Sequence, residues 1–252
     1  MPSPEIPVGI YRSGRADIRR SGSVNTCSRG IELYNYSIIS SYILPKDRNL
    51  YVDFVIKSAT RIKSEGYKFY VNFSLSIFEL LTETIYKGLE YDEIGKVVDG
   101  ITLISYEYGY SLGIPSGTVS FDAIENFINY MTGLIPSEKI DIGVLDIGYV
   151  WKLPYEPGES RGMSISYDTA VEIALENNAE ILFDDSTNSA YFHYITSDEF
   201  IVRFWDARSI DAYTKLVPDF KLNGAGIWNI MFYFPQMWLV INSQYEIEKV
   251  LI

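Results

Sequence analysis

Apolar residues occur along this chain in short continuous runs that alternate with longer stretches of helical spacing. The runs are rich in Ile, Val, Tyr and Phe, and this enrichment predicts strands. The predicted strands are Ile31–Ile39, Tyr67–Ser74, Asp99–Tyr106, Ile140–Tyr149 and Gly224–Met231. The predicted helices are Asp47–Gly66, Tyr91–Val97, Ser120–Leu134, Ser209–Asp219 and Pro235–Val250. Regular alternation of strand and helix predicts an α/β protein with a parallel sheet and right-handed crossovers.

Two of these helices have capping signals at their ends. Gly66 stands at the end of the first helical pattern, where glycine readily adopts the left-handed conformation that terminates a helix. Ser120 precedes an apolar face that includes Ile124 and Phe127, and acidic residues follow it in the first turns. A serine at this position accepts hydrogen bonds from free backbone N–H groups, so a helix is predicted to begin directly after Ser120.

The alternation is interrupted between residues 151 and 205. Ser166–Asn177 has helical spacing, with Ser166 as its N-cap, and three short apolar runs follow it. These runs are Glu180–Asp184, Ala190–Ile195 and Phe200–Trp205. We therefore predict an α+β insertion over 151–205, between a repeating part at 31–150 and its continuation at 206–252. Residues 1–30 show little periodicity and are expected to be irregular.

Composition and charge limit the classes of function. The 252 residues include 33 acidic and 21 basic ones, and the net charge of −12 repels the phosphates of nucleic acids. The single cysteine, Cys27, excludes an internal disulfide and a cysteine-rich metal site, and no cofactor is expected. No apolar run reaches the roughly 18 residues of a membrane-spanning helix. The N-terminal residues lack the apolar region of a signal peptide.

Aromatic and acidic residues gather at or near the C-terminal ends of three predicted strands. They are Tyr106 and Glu107 on the first, Tyr149 and Trp151 on the second, and Trp228 on the third. In a β/α barrel these strand ends form the mouth that binds ligands. Tyrosine and tryptophan combine a flat apolar face with a polar group, and this combination favours sugars as ligands. The five residues are therefore the predicted substrate-binding set.

Several segments resemble the glycoside hydrolase family 18 domains of bacterial spore-germination hydrolases. The similarity begins near Leu44 and extends over about four-fifths of the chain. The segments that carry it are PKDR (45–48), YDEIGKVVDGITLISYEYG (91–109), GIPSG (113–117), IPSEKIDIGVLDIGYVWKLPY (135–155), FWDARS (204–209) and GAGIWNIMFYFPQMW (224–238). Their joint occurrence in the right order implies a (β/α)8 TIM-barrel type of fold, with a small α+β insertion before the last barrel strand.

The resemblance also implies a ligand and a mechanism. Family 18 enzymes cleave polymers of N-acetylglucosamine, such as chitin or the glycans of peptidoglycan. The substrate's own acetamido oxygen attacks the anomeric carbon, so no protein nucleophile is needed. A glutamic acid at the end of the fourth barrel strand donates a proton, and a neighbouring aspartate orients the acetamido group. By the same resemblance, Tyr106 hydrogen-bonds the acetamido oxygen and Trp228 stacks on the reacting sugar.

The catalytic motif of the fourth strand is missing from this chain. Counting back from PKDR places Tyr34, Ile39 and Ser41 at the positions of its two aspartates and its glutamic acid. Matching the segment RGIEL to the start of the motif places Arg29, Tyr34 and Tyr36 there instead. In both alignments the general-acid position, Ser41 or Tyr36, has a side chain that cannot donate a proton near neutral pH as a glutamic acid of raised pKa can.

Two further features depart from the family pattern. Only about 30 residues precede the predicted fourth strand, which is too few for three strand–helix units. The sequence therefore predicts a barrel without its first three units, as a frameshift, a mis-assigned start or a decayed gene would produce; natural evolution of a half-barrel is the alternative. Its two open strand edges would favour self-association. In addition, Trp205 stands in FWDARS where the family usually has an acid.

Three hypotheses on function follow. In the first, the protein is a family 18 relative that has lost catalysis and retains at most weak binding of N-acetylglucosamine glycans. In the second, it is an active glycosidase whose general acid lies elsewhere, with Glu107 as the candidate. In the third, it is a non-functional remnant. The sequence does not indicate the localisation of the protein, although the family suggests a spore or a cell wall.

Overall fold

The described part of the chain forms two sheets, and the first of them is parallel and belongs to a TIM-barrel type of fold. The computed structural model describes residues 35–40, 43, 45–74, 89–104, 115, 120–156, 159–228, 232 and 234–246. Within them, the sheet contains β1 (Asn35–Ser40), β2 (Lys68–Ser74), β3 (Gly100–Ile104), β4 (Ile140–Leu145) and β10 (Gly224–Trp228). The strands lie in that order, and every neighbouring pair is parallel. Strand–helix alternation along such a sheet is the arrangement of a β/α barrel, here partial in the described residues.

Six α-helices are described, and five of them alternate with the strands of this sheet. The helices are α1 (Arg48–Ser64), α2 (Tyr91–Val97), α3 (Phe121–Leu134), α4 (Tyr167–Glu176), α5 (Ala207–Asp219) and α6 (Pro235–Gln244). Single 3₁₀ turns occur at Pro45–Asp47 and Ser137–Lys139. None of the helices in the described part of the chain is long and apolar enough to cross a membrane.

Capping groups explain where several helices begin and end. The hydroxyl of Ser120 accepts a hydrogen bond from the backbone N–H of Ala123, which confirms the predicted start of α3. Gly66, two residues beyond α1, has a φ of +83°, as its predicted role requires. Helix α5 starts at Ala207, two residues before the predicted start. The reason is a capping box that Asp206 forms with Ser209.

The main hydrophobic core lies between the parallel sheet and its helices. On β2 the alternate residues Phe69, Val71 and Phe73 are buried in this core, whereas Tyr70 and Asn72 between them are half-buried. Alternate residues of a strand point to opposite faces of a sheet. The face that carries Tyr70 and Asn72 is the one that a complete barrel would enclose. Its partial exposure agrees with a partial barrel.

The second sheet forms the insertion. It contains β5 (Ile147–Leu153), β6 (Met163–Ser166), β7 (Leu182–Asp184), β8 (Ser189–Ile195) and β9 (Glu199–Phe204). All neighbouring strands are antiparallel, in the order β6-β5-β9-β8-β7. Helix α4 packs on one face and closes a smaller core. The buried residues of this core are Val150, Ile165, Ala170, Ala174, Ala190, Phe192, Val202 and Phe204.

The predicted single strand Ile140–Tyr149 is wrong. The structure divides this run at Asp146 into β4 and β5, which belong to different sheets. The apolar pattern continues through the break because both strands are largely buried, so periodicity alone could not reveal it. The antiparallel sheet therefore begins at Ile147 rather than at 151, and it has five strands where the sequence analysis predicted three.

Other predicted elements agree with the structure to within a few residues. Helix α2 has the predicted bounds, and α4 begins after its predicted N-cap, Ser166, which accepts a hydrogen bond from the N–H of Thr169. Some predicted ends fall outside the described residues, namely 31–34, 105–106, 229–231 and 247–250.

One aromatic pair joins the insertion to the barrel sheet. Tyr167, the first residue of α4, stacks on Phe234 with ring centroids 4.1 Å apart. Phe234 is buried in the main core, and Tyr167 packs against both cores. Burial raises the pKa of the Tyr167 phenol, and the nearby carboxylates of Asp206 and Asp168 act in the same direction. The phenol therefore stays neutral at physiological pH, as suits a packed position.

Candidate functional site

The C-terminal ends of the parallel strands lie along one edge of the first sheet. Leu145, the last residue of β4, is the register partner of Trp228, the last residue of β10. This edge carries the ligand site in β/α barrels. The backbone of Trp228 thus lies at the edge where the sequence analysis expected a ligand, and its contact with a ligand stays a prediction.

Asp146 is a carboxylate at this edge that the sequence analysis did not single out. It follows Leu145 directly, and its side chain is only 2% exposed. Burying a carboxylate is costly unless polar groups surround it, so such a residue at a ligand-binding edge is a candidate site residue. The signal that could have found it is the single charge in the middle of the apolar segment VLDIG.

Tyr149 and Trp151 lie side by side on β5, in the sheet of the insertion. Their ring centroids are 5.6 Å apart. Tyr149 is half-buried, whereas Trp151 is 2% exposed. The backbone of Gly162 covers the Trp151 indole so closely that an added Cβ would lie 2.6 Å from the ring. Stacking on a sugar needs an open ring face, so the burial of Trp151 favours a packing role. Its predicted ligand contact stays a prediction without support from this geometry.

Three of the residues named from the sequence, Tyr106, Glu107 and Ser41, lie outside the described residues. Their predicted roles stay predictions. Tyr36 is the second residue of β1, and its register partner is Phe69. For the strand that carries the catalytic motif in the family, the structure therefore describes the backbone of β1.

In the segment FWDARS, the side chains of Trp205 and Asp206 make contacts within the protein. Trp205 is 2% exposed, and its ring centroid lies 3.9 Å from that of Tyr213. The carboxylate of Asp206 accepts hydrogen bonds from the backbone N–H groups of Arg208 and Ser209 and pairs with the Arg208 guanidinium at 2.6 Å. Within the described residues, no group of three His, Cys, Asp or Glu side chains is arranged to hold a metal ion.

Comparison with known proteins identifies the family of this fold. The sequence model described as glycosyl hydrolases family 18 matches residues 21–232, so the chain belongs to this family. The cortical fragment-lytic enzyme of Bacillus subtilis (strain 168) is 30% identical over 210 residues, which are 82% of this chain and 49% of the relative. The chain spans about half the length of the curated relatives it matches in this group.

Solved structures agree with this assignment. The Bacillus cereus spore cortex-lytic enzyme SleL superposes with a TM-score of 0.72 at 25% identity, over 85% of this chain and 50% of that protein. A chitinase from Chromobacterium violaceum superposes with a TM-score of 0.70 at 20% identity, over 81% of this chain and 64% of that protein, and shows the shared fold. The protein is thus related to spore cortex-lytic enzymes and shares its fold with a chitinase.

Proposed function

We propose that this protein binds a glycan that contains N-acetylglucosamine, such as chitin or peptidoglycan, and does not hydrolyse it. Membership of family 18 supports this class of ligand. The similarity to cortical fragment-lytic enzymes favours a spore or cell-wall glycan. These relatives are about twice as long as the stretch of each that this chain matches. We therefore assign their glycan ligands to this chain only as part of the proposal.

The observation that carries the proposal is the composition of β1. Its sequence, NYSIIS, contains no carboxylate. The alignment that puts Ile39 at the second aspartate and Ser41 at the general acid lacks both carboxylates, and so does the alignment that puts Tyr34 and Tyr36 there.

Substitution of the two carboxylates removes both protein contributions to the family reaction. A serine at the acid position cannot protonate the leaving oxygen near neutral pH, and removing a general acid lowers rates by roughly 10² to 10⁴-fold. Isoleucine at the aspartate position cannot accept a hydrogen bond from the acetamido N–H or stabilise the developing positive charge. Binding does not need either group.

Residual binding would use the residues that remain at the edge of the sheet. Trp228 would stack on the apolar face of a sugar, Tyr106 would reach its acetamido group, and the half-buried Tyr149 would border the cleft beside Glu107. The described sheet supplies only part of a barrel wall, so the affinity should be near millimolar, which corresponds to about −4 kcal/mol.

A second candidate function is that of an active glycosidase with a displaced acid. The buried carboxylate of Asp146 at the ligand-binding edge favours it, and Glu107 is the other candidate for the acid. The two functions are separated by an assay with an aryl N-acetylglucosaminide and with cortex peptidoglycan fragments. We expect no turnover. Turnover at the rate of an intact family member, abolished in Glu107→Gln or Asp146→Asn, would establish the second function.

The binding itself is tested by titrating N-acetylglucosamine oligomers while following tryptophan fluorescence. We expect a saturable change in the parent protein that disappears in Trp228→Ala. Trp238→Ala is the matched control, because Trp238 is a half-buried tryptophan on α6 that packs against the main core. Equal responses in the parent and in Trp228→Ala would show that the cleft is not the site, and the remnant hypothesis would then be the better one.

A further inference from the structure

The start of β10 carries an asparagine that is followed by a glycine. Asn223 directly precedes Gly224, the first residue of the strand, and the sequence contains no other asparagine–glycine pair. Asn223 is exposed, yet its Nδ2 atom donates a hydrogen bond of 2.7 Å to Oδ1 of Asp141 on β4. Asp141 itself is only 4% exposed. Water therefore reaches Asn223, while the amide of the same residue serves a buried carboxylate.

This amide is one of several contacts that hold the start of β10 on β4. The backbone N–H of Asn223 donates a hydrogen bond of 2.8 Å to the carbonyl oxygen of Ile140. Gly224 is the register partner of Asp141. Asp141 is thus bound through its side chain by the residue that directly precedes its own partner on β10. A buried carboxylate that loses a hydrogen-bond donor destabilises the folded state, so the amide of Asn223 stabilises this end of the sheet.

An asparagine followed by glycine can lose its side-chain amide in water without an enzyme. The backbone nitrogen of Gly224 loses its proton to solvent and bonds to Cγ of Asn223, and the Cγ–Nδ2 bond breaks with release of ammonia. A water molecule then opens the cyclic imide at either of its carbonyl carbons. The product is an aspartate, or an isoaspartate in which the main chain runs through the former side chain. Glycine favours ring closure because it has no Cβ to crowd the attacking nitrogen.

We propose that Asn223 is a site of spontaneous deamidation and that this modification releases the start of β10 from β4. A carboxylate replaces the amide, so the contact with Asp141 changes from a hydrogen bond to a repulsion between two negative charges. An isoaspartate also adds a carbon to the main chain directly before Gly224 and so disturbs the register with Asp141. The proposal does not depend on the function proposed above.

The folded structure limits how often the reaction starts. Ring closure changes the backbone and side-chain angles of Asn223, which the hydrogen bonds to Ile140 and Asp141 hold in place. Reaction therefore proceeds from the minor population of molecules in which this end of β10 has opened. Neither product can remake the amide bond to Asp141, so the reaction makes a transient opening permanent.

Incubation of the parent protein at mildly alkaline pH tests the chemistry. Mass spectrometry of the peptide that contains Asn223 should show progressive conversion of the amide to an acid. An isoaspartyl methyltransferase should methylate part of the product. Asn178 is the internal control, because it is also exposed and lies in a turn but is followed by Ala179. Conversion should be faster at Asn223 than at Asn178, and faster still in urea, where the strand no longer holds Asn223.

Asn223→Asp reproduces one product and tests the structural consequence. The unfolding equilibrium constant from urea titration should rise by roughly tenfold or more, because a buried acceptor loses its donor. Adding Asp141→Asn to this variant exchanges the amide and the carboxylate between the two positions, so the double variant should recover most of the lost stability. Asn129→Asp is the matched control, because it makes the same change at an exposed position of α3.

The outcomes decide the two halves of the proposal separately. Conversion that is no faster at Asn223 than at Asn178 overturns the modification site. An Asn223→Asp variant as stable as Asn129→Asp overturns the release of β10, and so does a double variant that recovers no stability. Recovery in the double variant supports the release, including the case in which Asn223→Asp alone does not fold.

Discussion

Trp228 and Leu145 are register partners at the end of the parallel sheet, and Leu145 is followed at once by the buried carboxylate of Asp146. The backbone of Trp228 and the carboxylate of Asp146 are therefore held at the ends of two neighbouring strands, β10 and β4, because Asp146 directly follows the last residue of β4. Such a pair can offer a sugar both a stacking surface and a hydrogen-bond acceptor.

Asp146→Asn should therefore weaken the binding of N-acetylglucosamine oligomers by roughly tenfold, since a hydrogen bond to a charged group contributes about 1.5–3 kcal/mol. The measurement is the fluorescence titration described above. Asp141→Asn is the matched control, because Asp141 is also buried on β4 but lies at the other end of the strand, where Asn223 binds it at 2.7 Å. Equal losses in the two variants would contradict a role for Asp146 at the ligand.

Two glycine substitutions should change stability in opposite directions. Gly162→Ala places a methyl group 2.6 Å from the Trp151 indole, and overpacking of this kind costs about 1–3 kcal/mol. Gly133→Ala places its methyl group in open space within α3, where alanine is favoured over glycine by up to about 1 kcal/mol. Urea unfolding at equal m-values measures both. A neutral Gly162→Ala would show that Trp151 is loosely packed and free to meet a ligand.

Stability should fall at acid pH partly through Asp184. Burial alone would raise the pKa of this carboxyl, but hydrogen bonds from Ser186, Arg203 and Thr187 outweigh burial and hold the pKa below its ordinary value. A lowered pKa in the folded state adds stability above the unfolded-state pKa of about 3.9, and this stability is lost as the pH falls through the lower folded-state value.

The expected result is that the free energy of unfolding drops less between pH 5 and acid pH, about 2.5, in Asp184→Asn than in the parent. Asp185→Asn serves as the control, because Asp185 is the exposed neighbour of Asp184 in the same turn. Parallel pH profiles for the parent and Asp184→Asn would contradict the stabilising role of Asp184.

The partial barrel should self-associate. Within the described residues β1 and β10 are the edges of the parallel sheet, and the helices that follow them expose large apolar side chains: Leu50 and Phe54 on α1 and Leu239 on α6. Open edges and exposed apolar surface favour association. Sedimentation velocity should show larger species as concentration rises, and Phe54→Lys should reduce them.

Leu175→Lys provides the comparison for this experiment. Leu175 is 73% exposed on α4, which packs on the sheet of the insertion, whereas Phe54 is 46% exposed on α1, which follows the edge strand β1. Association should therefore persist in Leu175→Lys. A monomer at every concentration, or equal loss of association in the two variants, would show that the barrel edges do not mediate contact.

Local signals predicted much of the fold. Helix α2 is bounded as predicted, and Ser120 and Ser166 cap the helices that follow them, because capping depends on residues adjacent in sequence. The division at Asp146 was missed, because buried strands in two different sheets have the same apolar pattern. The contacts of Arg203 were missed for a different reason. Its partners, Asp184 and Pro115, are distant in sequence and are brought together only by the tertiary fold.

The site was predicted less completely than the fold. Trp228 was placed at the correct end of its strand because strand direction and family resemblance agree there. Trp151 was expected at an open mouth, yet it is covered by the backbone of Gly162, and no sequence pattern encodes this contact between β5 and the residue that precedes β6. Resemblance to a family indicates which residues correspond along the chain. It does not indicate how deeply each side chain is buried, because packing differs between relatives.

The division of the run at Asp146 also bears on the order in which the chain folds. Strand β10 pairs with β4 although Asp141 and its register partner Gly224 are separated by the whole insertion. Closing a loop of about 80 residues costs chain entropy, and the cost is smaller when the intervening segment is already compact. The insertion has its own core and mostly short-range antiparallel pairings, so we expect it to form first. The last strand of the parallel sheet would then dock onto a preformed neighbour, and weakening the insertion core should slow refolding of the whole chain.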